Sequence, residues 1–306
     1  MFKSLEKLLM WNNPLGLLRY NIVRHVSSSI KVRVYNDVYL IVNPKLAGIH
    51  RDLAIHGLRE PWSTMIFLRE LGRGDVVIDV GANIGYYTCL ACKVLGPDGY
   101  IYAVEPLMEN LSFLVRNLEL NKCSERVSTY RLALGDHDGY VFMEYFHHAP
   151  NISRVASASS KDSKILKQVR VMTLDNFVKR LRLEKVDFLR MDVEGYEVKI
   201  LKGGINTLES FRPKIFVEIH PEFMTDYGNS FYEFVDILDT LDYNVKYVVW
   251  EPLTPFYLEA LWRKNRDSYD FKLFKGSFPV RALLREPLRM FVRNWTRLFL
   301  ESRRRN

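Results

Sequence analysis

The sequence lacks the features that mark secreted or membrane-spanning proteins. It has three cysteines in 306 residues, and an odd, small number does not build a disulfide framework, so a reducing compartment is expected. The N-terminus shows no compact apolar segment followed by a small-residue cleavage site, and no run of about 18 apolar residues occurs anywhere. These absences predict a cytoplasmic protein. With 48% apolar residues, the chain can build one large core with extensions at its ends.

A complete dinucleotide-binding motif is also absent. The segment VVIDVGANIGYYT at residues 76–88 reads as a buried strand, a turn with Gly81 and Gly85, and the start of a helix. Asn83 replaces the glycine that would lie against a pyrophosphate. The carboxylate of Asp79 precedes the turn and would repel an anion. The segment therefore favours a zwitterionic or cationic ligand over NAD.

A second carboxylate follows the next predicted strand. Glu105 comes directly after Tyr100–Val104 and lies 24 residues beyond Gly81. In nucleotide-binding folds an acidic residue about 20 residues after the glycine turn binds the ribose hydroxyls. Together with the unusual turn, this spacing indicates a nucleoside-bearing cofactor without a pyrophosphate.

Five segments, in this order, resemble the FkbM family of S-adenosylmethionine-dependent methyltransferases: DVGANIG, AVEP, RLALGD, FLRMDVEGYE and KIFVEIHPE. The resemblance covers roughly residues 61–251. It implies a class I methyltransferase (Rossmann-like) α/β fold, which is a doubly wound, mostly parallel sheet with an antiparallel last strand. It also implies S-adenosyl-L-methionine as cofactor, with the methionine part held by the glycine turn, the ribose by Glu105 and the adenine bordered by residues 133–136. The cofactor-binding residues so implied are Asp79, Gly81, Ala82, Asn83, Gly85, Glu105, Pro106, Leu134 and Asp136.

Polar clusters after two later strands are candidates for catalysis. They comprise Asp192 and Glu194 after FLRM, and Glu218 and His220 within KIFVEIH. Ligands of open α/β sheets bind outside the carboxyl ends of the strands, and alternate residues of a strand share one side. We expect His220 to act as general base, with Glu218 orienting it or binding substrate.

Asp192 and Glu194 have two further interpretations. They would hold the cofactor or a pair of sugar hydroxyls, or they would bind Mg²⁺ together with Glu218, because hard cations prefer oxygen ligands. No ligand spacing in the sequence requires a metal, so none is predicted.

The methyl acceptor is inferred partly by exclusion. Nucleic-acid amino methyltransferases of this class carry an Asn/Asp-Pro-Pro-aromatic segment after the fourth strand, and cytosine C5 enzymes carry a nucleophilic cysteine there, whereas this chain has Asp192-Val-Glu-Gly. The family resemblance points to O-methylation, so we expect a sugar or glycolipid hydroxyl as acceptor. The loop His147–Lys167 is long enough to be a substrate lid, with an unstructured surface loop as the alternative.

Basic residues concentrate at the two ends of the chain. Residues 1–33 contribute +5 and residues 281–306 contribute +6, so subtracting both from the net +8 leaves −3 for residues 34–280. An enzyme that acts on nucleic acid would carry basic residues around its crevice. We therefore expect no nucleic-acid partner and assign the terminal charge to attachment. An RNA methyltransferase and a non-catalytic scaffold with this fold remain the alternative functions.

We expect three regions. Residues 1–59 form an N-terminal amphipathic helix and hairpin extension, residues 60–278 the methyltransferase domain, and residues 279–306 a basic amphipathic C-terminal helix. Arginine recurs every four residues in the last region, beside an apolar face, at Arg281, Arg285, Arg289, Arg293 and Arg297. This pattern is typical of helices on anionic membranes, here the inner face; the alternative, which we favour, is that the helix packs on the domain or forms an oligomer contact.

Overall fold

The computed structural model describes residues 14–157, 165–250, 272–284 and 296–303. Fourteen strands lie in these ranges: β1 (Ile30–Tyr35), β2 (Val38–Val42), β3 (Val76–Val80), β4 (Tyr100–Val104), β5 (Val127–Tyr130), β6 (Ala133–Gly135), β7 (Gly139–Phe146), β8 (Ala149–Val155), β9 (Ile165–Thr173), β10 (Phe188–Met191), β11 (Lys214–Ile219), β12 (Tyr243–Trp250), β13 (Lys272–Pro279) and β14 (Thr296–Ser302).

The same ranges contain ten α-helices: α1 (Pro14–Val26), α2 (Ile49–His56), α3 (Pro61–Glu70), α4 (Tyr86–Leu95), α5 (Met108–Leu120), α6 (Leu174–Leu181), α7 (Glu197–Lys202), α8 (Ile205–Phe211), α9 (Pro221–Met224) and α10 (Phe231–Thr240). Short 3-10 segments lie at Ser124–Arg126, Thr225–Tyr227 and Val280–Leu284.

Eight of the strands form one sheet in the order β13-β12-β14-β11-β10-β3-β4-β5. The five strands from β11 to β5 are parallel, and β14 is antiparallel to both β11 and β12. Parallel neighbours require helical crossovers, which cover the two faces of the sheet. This arrangement confirms the predicted doubly wound Rossmann-like sheet with an antiparallel last strand in sequence.

The buried strands have apolar residues on both faces. Val77 belongs to one apolar core and its neighbour Ile78 to the other, and Phe216 and Val217 of β11 divide in the same way. Successive side chains of a strand point to opposite faces, so the two cores lie on opposite sides of the sheet. Strands buried on both faces read as continuous apolar runs, which explains why β3 is recognisable in the segment at residues 76–88.

The predicted N-terminal hairpin is confirmed and lies on α5. Asn117 and Asn121 occupy the same face of that helix, and their side-chain oxygens accept hydrogen bonds from the backbone N–H groups of Ile41 (2.6 Å) and Tyr39 (3.0 Å). The outer edge of β2 is therefore satisfied by two side chains of the main domain. Residues Phe2 to Trp11 of the predicted N-terminal helix lie outside the described residues.

The predicted C-terminal helix is wrong wherever this region is described. Residues 280–284 form a 3-10 segment, and Thr296–Ser302 is strand β14 inside the sheet. The positions Arg285, Arg289 and Arg293 lie outside the described residues. Arg297 is 1% exposed, so it does not belong to a membrane-facing stripe. The prediction failed because residues 296–302 pair with the edges of both β11 and β12. This long-range pairing outweighs the local helical pattern. Across the described ranges, no helix is both long and apolar enough to cross a bilayer.

The two cysteines of α4 differ. Cys89 is free and buried, as expected for a small apolar side chain. Cys92 instead forms a disulfide with Cys123, which the sequence analysis did not predict. The bond ties α4 to the segment between α5 and β5.

Candidate active site

A cavity of about 380 Å³ opens at the carboxyl ends of the central parallel strands. This is the edge where open α/β sheets bind ligands. One half is bordered by the turn after β3 and the residues after β4, and the other by the residues after β10 and β11. The segment between β2 and α3 closes the rim, through Ala47, Gly48, Ile49, Arg51, Asp52, Arg59 and Glu60.

Gly81 shapes the turn after β3. Its φ is 77°, and a Cβ at this position would lie 2.1 Å from the backbone oxygen of Asp192. Both the left-handed backbone and this close approach require glycine. The N–H groups of Gly81 and Ala82 donate to Val104, so the turn is fixed to the neighbouring strand while its backbone borders the cavity.

Glu105 borders the half of the cavity next to the glycine turn. The family resemblance implies that the cofactor binds here, so this half is named the cofactor half. The carboxylate of Glu105 is 3% exposed and accepts hydrogen bonds from the backbone of Asn83 (2.9 Å) and Leu107 (3.0 Å). Burial raises the pKa of Glu105 to about 7, despite these hydrogen bonds and that from Asn110. A buried carboxylate that still borders the cavity is suited to accept hydrogen bonds from a pair of hydroxyls.

The structure separates the predicted cofactor-binding residues into two groups. Six line the cavity: Gly81, Ala82, Asn83, Glu105, Pro106 and Leu134. Three do not: Gly85 begins α4 behind the turn, Asp136 is paired with Lys199 (2.8 Å), and Asp79 is paired with Arg190 (2.9 Å). Asp79 is therefore not the cation-attracting group that the sequence analysis expected, because its charge is already compensated by a guanidinium.

Arg190 is the most consequential residue that the sequence analysis missed. It lies on β10 opposite Asp79 of β3, is 5% exposed and lines the cavity. Its guanidinium donates to Asp79 (2.9 Å), to Asp192 (2.9 Å) and to the Gly81 carbonyl (3.2 Å), and stacks on Tyr87 at 4.3 Å from the ring centre. A single charged residue within the apolar run of FLRM was the signal that could have revealed it.

The three carboxylates that were predicted to act in catalysis meet at the cavity wall. Asp192, Glu194 and Glu218 all line it, because β10 and β11 are adjacent and end at the same edge. Burial raises the pKa of Glu194. Burial also raises the pKa of Glu218, to about 8, although Arg297 opposes this shift. Carboxylates with raised pKa values are suited to accept a proton near neutral pH.

His220 lies behind this wall and is 0% exposed. Its Nδ1 is 2.8 Å from Glu197, and its Nε2 faces Glu194 (3.3 Å) and Glu218 (3.8 Å). Burial lowers the pKa of His220, but the surrounding carboxylates outweigh burial and raise it to about 10. An imidazole that is inaccessible and protonated at neutral pH does not fit the predicted role of general base, so His220 is placed to position its neighbours.

A second buried arginine connects the rim segment of the cavity to the last strand. Arg297 of β14 lies opposite Glu218 of β11 and donates to it over 2.7 Å, while Glu60 lies 2.8 Å away. Burial would raise the pKa of Glu60, but Arg297 and Arg59 lower it to about 2. Glu60 also accepts from the Tyr87 hydroxyl (2.7 Å). The rim segment and the last strand are therefore parts of one charged network around the cavity.

The predicted lid segment is largely ordered. Ala149–Val155 is strand β8, which pairs with β7 in a four-stranded sheet of order β6-β9-β7-β8. Ile152, Ser153 and Val155 line the cavity. An unstructured loop is therefore the wrong interpretation for this part of His147–Lys167, whereas residues 158–164 lie outside the described residues.

Comparison with known proteins agrees with this geometry. The family model "Methyltransferase FkbM domain" matches residues 79–247. Hexuronic acid methyltransferase AglP from Haloferax volcanii is 28% identical over 155 residues, which are 51% of this chain and 60% of AglP. Methyltransferase sdnD from Sordaria araneosa is 30% identical over 163 residues, which are 44% of this chain and 62% of sdnD. The chain thus spans less than two thirds of either relative.

Among solved structures, a methyltransferase FkbM from Methylobacillus flagellatus is 15% identical, with a TM-score of 0.41, over 76% of this chain and 54% of that one. So distant a likeness carries no argument about the fold. The strand order itself defines the Rossmann-like fold.

Proposed function

Because the chain belongs to the FkbM methyltransferase family, whose cofactor is S-adenosylmethionine, we propose that it methylates a hydroxyl of a sugar or glycolipid. The single observation that carries this proposal is the position of Glu194. Its carboxylate lines the cavity beside the cofactor half, and burial raises the pKa of this carboxylate. Methyl transfer to oxygen needs an aligned acceptor and a group that takes the hydroxyl proton, and Glu194 supplies the second.

The cofactor half fits S-adenosylmethionine. Glu105 would accept hydrogen bonds from the ribose hydroxyls, the backbone of residues 81–83 would border the methionine part, and Pro106 and Leu134 would border the adenine. When bound, the cofactor supplies an electrophilic methyl carbon on a positively charged sulfur. The buried carboxylates of the cavity favour this charge, and Arg190, whose guanidinium lines the cavity, is a cation that would attract the cofactor's carboxylate.

The cavity wall combines charged and aromatic groups. It includes Arg51, Asp52, Tyr196 and Phe223 together with Glu194, a mixture that suits a hydroxylated ring with apolar faces. The name of AglP specifies a sugar acid as its substrate. Arg51 has 46% of its side chain exposed and offers a cation at the rim, so sugar acids are the first acceptors to test.

Glu194 is the better candidate for the base than His220. Its side chain is 25% exposed, whereas that of His220 is 0% exposed and lies 3.3 Å behind it. Glu194 also has a left-handed backbone, with φ of 53°, and such strain in a residue other than glycine is often associated with function. In this assignment Glu194 takes the hydroxyl proton, and His220 holds it in place.

A methyl-transfer screen tests the function. Purified protein and labelled S-adenosylmethionine would be incubated with matched pairs of a hexuronic acid and its parent hexose, with glycolipids and with RNA. We expect an O-methylated carbohydrate product, identified by mass spectrometry and NMR. Methylation of RNA alone would replace the proposal with the RNA alternative, and calorimetry that shows no binding of the cofactor would favour the scaffold.

A further inference from the structure

The ends of β10 and β11 bring two carboxylates and an imidazole to one point. Asp192, Glu218 and His220 each offer one ligand atom, and these atoms all lie within 4.8 Å of one another. A shared cation needs only small side-chain movements to reach all three, because metal–ligand distances near 2 Å place neighbouring ligand atoms roughly 3–4 Å apart. Asp192 and Glu218 line the cavity, so the point is also reachable from solvent.

The orientation of His220 is the second observation. Its Nδ1 is held at 2.8 Å by the carboxylate of Glu197, and both side chains are 0% exposed. A carboxylate only accepts, so Nδ1 carries a hydrogen. Nε2 then faces Glu194 (3.3 Å) and Glu218 (3.8 Å), and it has no hydrogen-bond partner among the residues described. Histidines that bind metals have this arrangement, in which a carboxylate fixes the ring through the nitrogen that does not bind.

The two carboxylates are also oriented. Asp192 uses Oδ2 to accept from Arg190 at 2.9 Å, and Glu218 uses Oε2 to accept from Arg297 at 2.7 Å. Each arginine fixes one oxygen of its carboxylate, so Oδ1 of Asp192 and Oε1 of Glu218 are the oxygens available as ligands. Both arginines are shared with another carboxylate, Asp79 or Glu60, so they do not neutralise the cluster.

We propose that Asp192, Glu218 and His220 bind a divalent first-row transition metal. The metal would take the place of the proton on Nε2 of His220, which is released to solvent on binding. One imidazole nitrogen with two carboxylate oxygens suits Mn²⁺, Fe²⁺ or Zn²⁺ better than Mg²⁺ or Ca²⁺, which prefer oxygen alone. Glu194, at 3.3 Å from Nε2, is close enough to accept the proton of a hydroxyl bound to the metal. A bound metal would lower the pKa of that hydroxyl; only this catalytic consequence depends on the proposed function.

Mn²⁺ is the probe for the test, since its electron paramagnetic resonance signal reports the free ion. The full-length protein would be dialysed against chelator and titrated with Mn²⁺ in the absence of cofactor and acceptor. We expect one bound equivalent, which Zn²⁺ displaces. Glu197→Gln leaves the three ligands in place but removes their support, and it should weaken binding about 10- to 100-fold. Asp192→Asn should abolish it.

Asp236→Asn is the matched control, because this carboxylate is 60% exposed and pairs with Arg281; it should bind as the wild type does. Circular dichroism would confirm that each variant is folded, and Asp192→Asn serves if Glu197→Gln does not fold. A folded wild type that leaves the free Mn²⁺ signal unchanged, and retains no Zn²⁺ in equilibrium dialysis, would overturn the proposal. Equal binding by Asp192→Asn and wild type would do the same. Since no methyl transfer is measured, either result leaves the proposed function untouched.

Discussion

Arg190 and Asp79 face each other across β10 and β3, and their side chains are joined over 2.9 Å in the interior of the protein. The carboxylate of the glycine-turn motif is thus bound to a guanidinium that also reaches Asp192 at 2.9 Å. The β3 side and the β10 side of the cavity share this one cation. Its loss would leave two carboxylates without compensation.

Arg190→Met should therefore destabilise the protein by about 3–5 kcal/mol, the usual cost of breaking a buried ion pair from one side. Equilibrium urea unfolding gives this value. Lys185→Met is the matched control, because Lys185 is 54% exposed in its pair with Asp187 and should cost below about 1 kcal/mol. Equal free energies of unfolding for the two variants would show that the buried pair contributes no more to stability than the exposed pair does.

Glu105 should make cofactor binding depend on pH. The ribose hydroxyls donate hydrogen bonds, so the ionised carboxylate binds them better than the neutral acid. Because burial raises the pKa of Glu105 to about 7, the ionised form is lost as pH falls through that value. The dissociation constant of S-adenosylmethionine should rise about tenfold between pH 8 and pH 6, as measured by calorimetry.

Glu105→Gln is the control for this dependence. The amide keeps the shape of the side chain but does not titrate, so its affinity should be weaker and flat over the same pH range. A variant that retains the slope of the wild type would assign the pH dependence to another group.

Replacing Glu194 should affect turnover and spare cofactor binding. Glu194→Gln removes the proton acceptor, and general bases typically contribute about 10²- to 10⁴-fold to the rate. Single-turnover methyl transfer would measure the loss, and calorimetry would show unchanged affinity for the cofactor. If Glu194→Gln turns over normally while His220→Gln is inactive, the base is His220, as the sequence analysis first expected.

The parallel strands could be predicted from sequence because burial on both faces leaves a continuous apolar run. The glycine turn and Glu105 could be placed because their chemistry is local to one strand and the next. Asp136 illustrates the opposite case. It follows a strand end in a recognised motif, yet Lys199 of α7 draws its carboxylate away from the cavity, a contact that the sequence around residue 136 does not encode.

The surroundings of His220 and Arg297 could not be predicted, for a related reason. The alternation of EIH correctly predicted that Glu218 and His220 share a side, but not that Glu197 would bind the imidazole from behind. Arg297 matches a helical repeat with its neighbours, whereas its partners Glu60 and Glu218 lie far away in sequence. Long-range pairing decides both positions, and periodicity carries no information about it.

Removing bound metal should lower activity. Extensive dialysis against chelator should reduce kcat about 100-fold if the metal binds the acceptor hydroxyl. Mn²⁺ should restore the rate, and Mg²⁺ should do so poorly because the ligand set contains an imidazole. Metal-free protein, verified by elemental analysis, that retains the full rate would exclude this catalytic role.

Removing the last strand tests whether the C-terminus is part of the sheet or forms a peripheral membrane helix. A chain truncated after residue 295 loses β14, which pairs with β11 on one side and β12 on the other. Both edges would then present unpaired backbone groups, and Glu60 and Glu218 would lose Arg297, so we expect loss of cooperative unfolding and of cofactor binding. Truncation after residue 303 keeps the strand and should behave as the full chain does in circular dichroism and calorimetry.

A peripheral membrane helix predicts the reverse for the first truncation: a folded protein that binds the cofactor and has lost only its attachment to anionic liposomes. Because β14 also supplies the partner of Glu218, truncation would remove part of the active site together with the sheet.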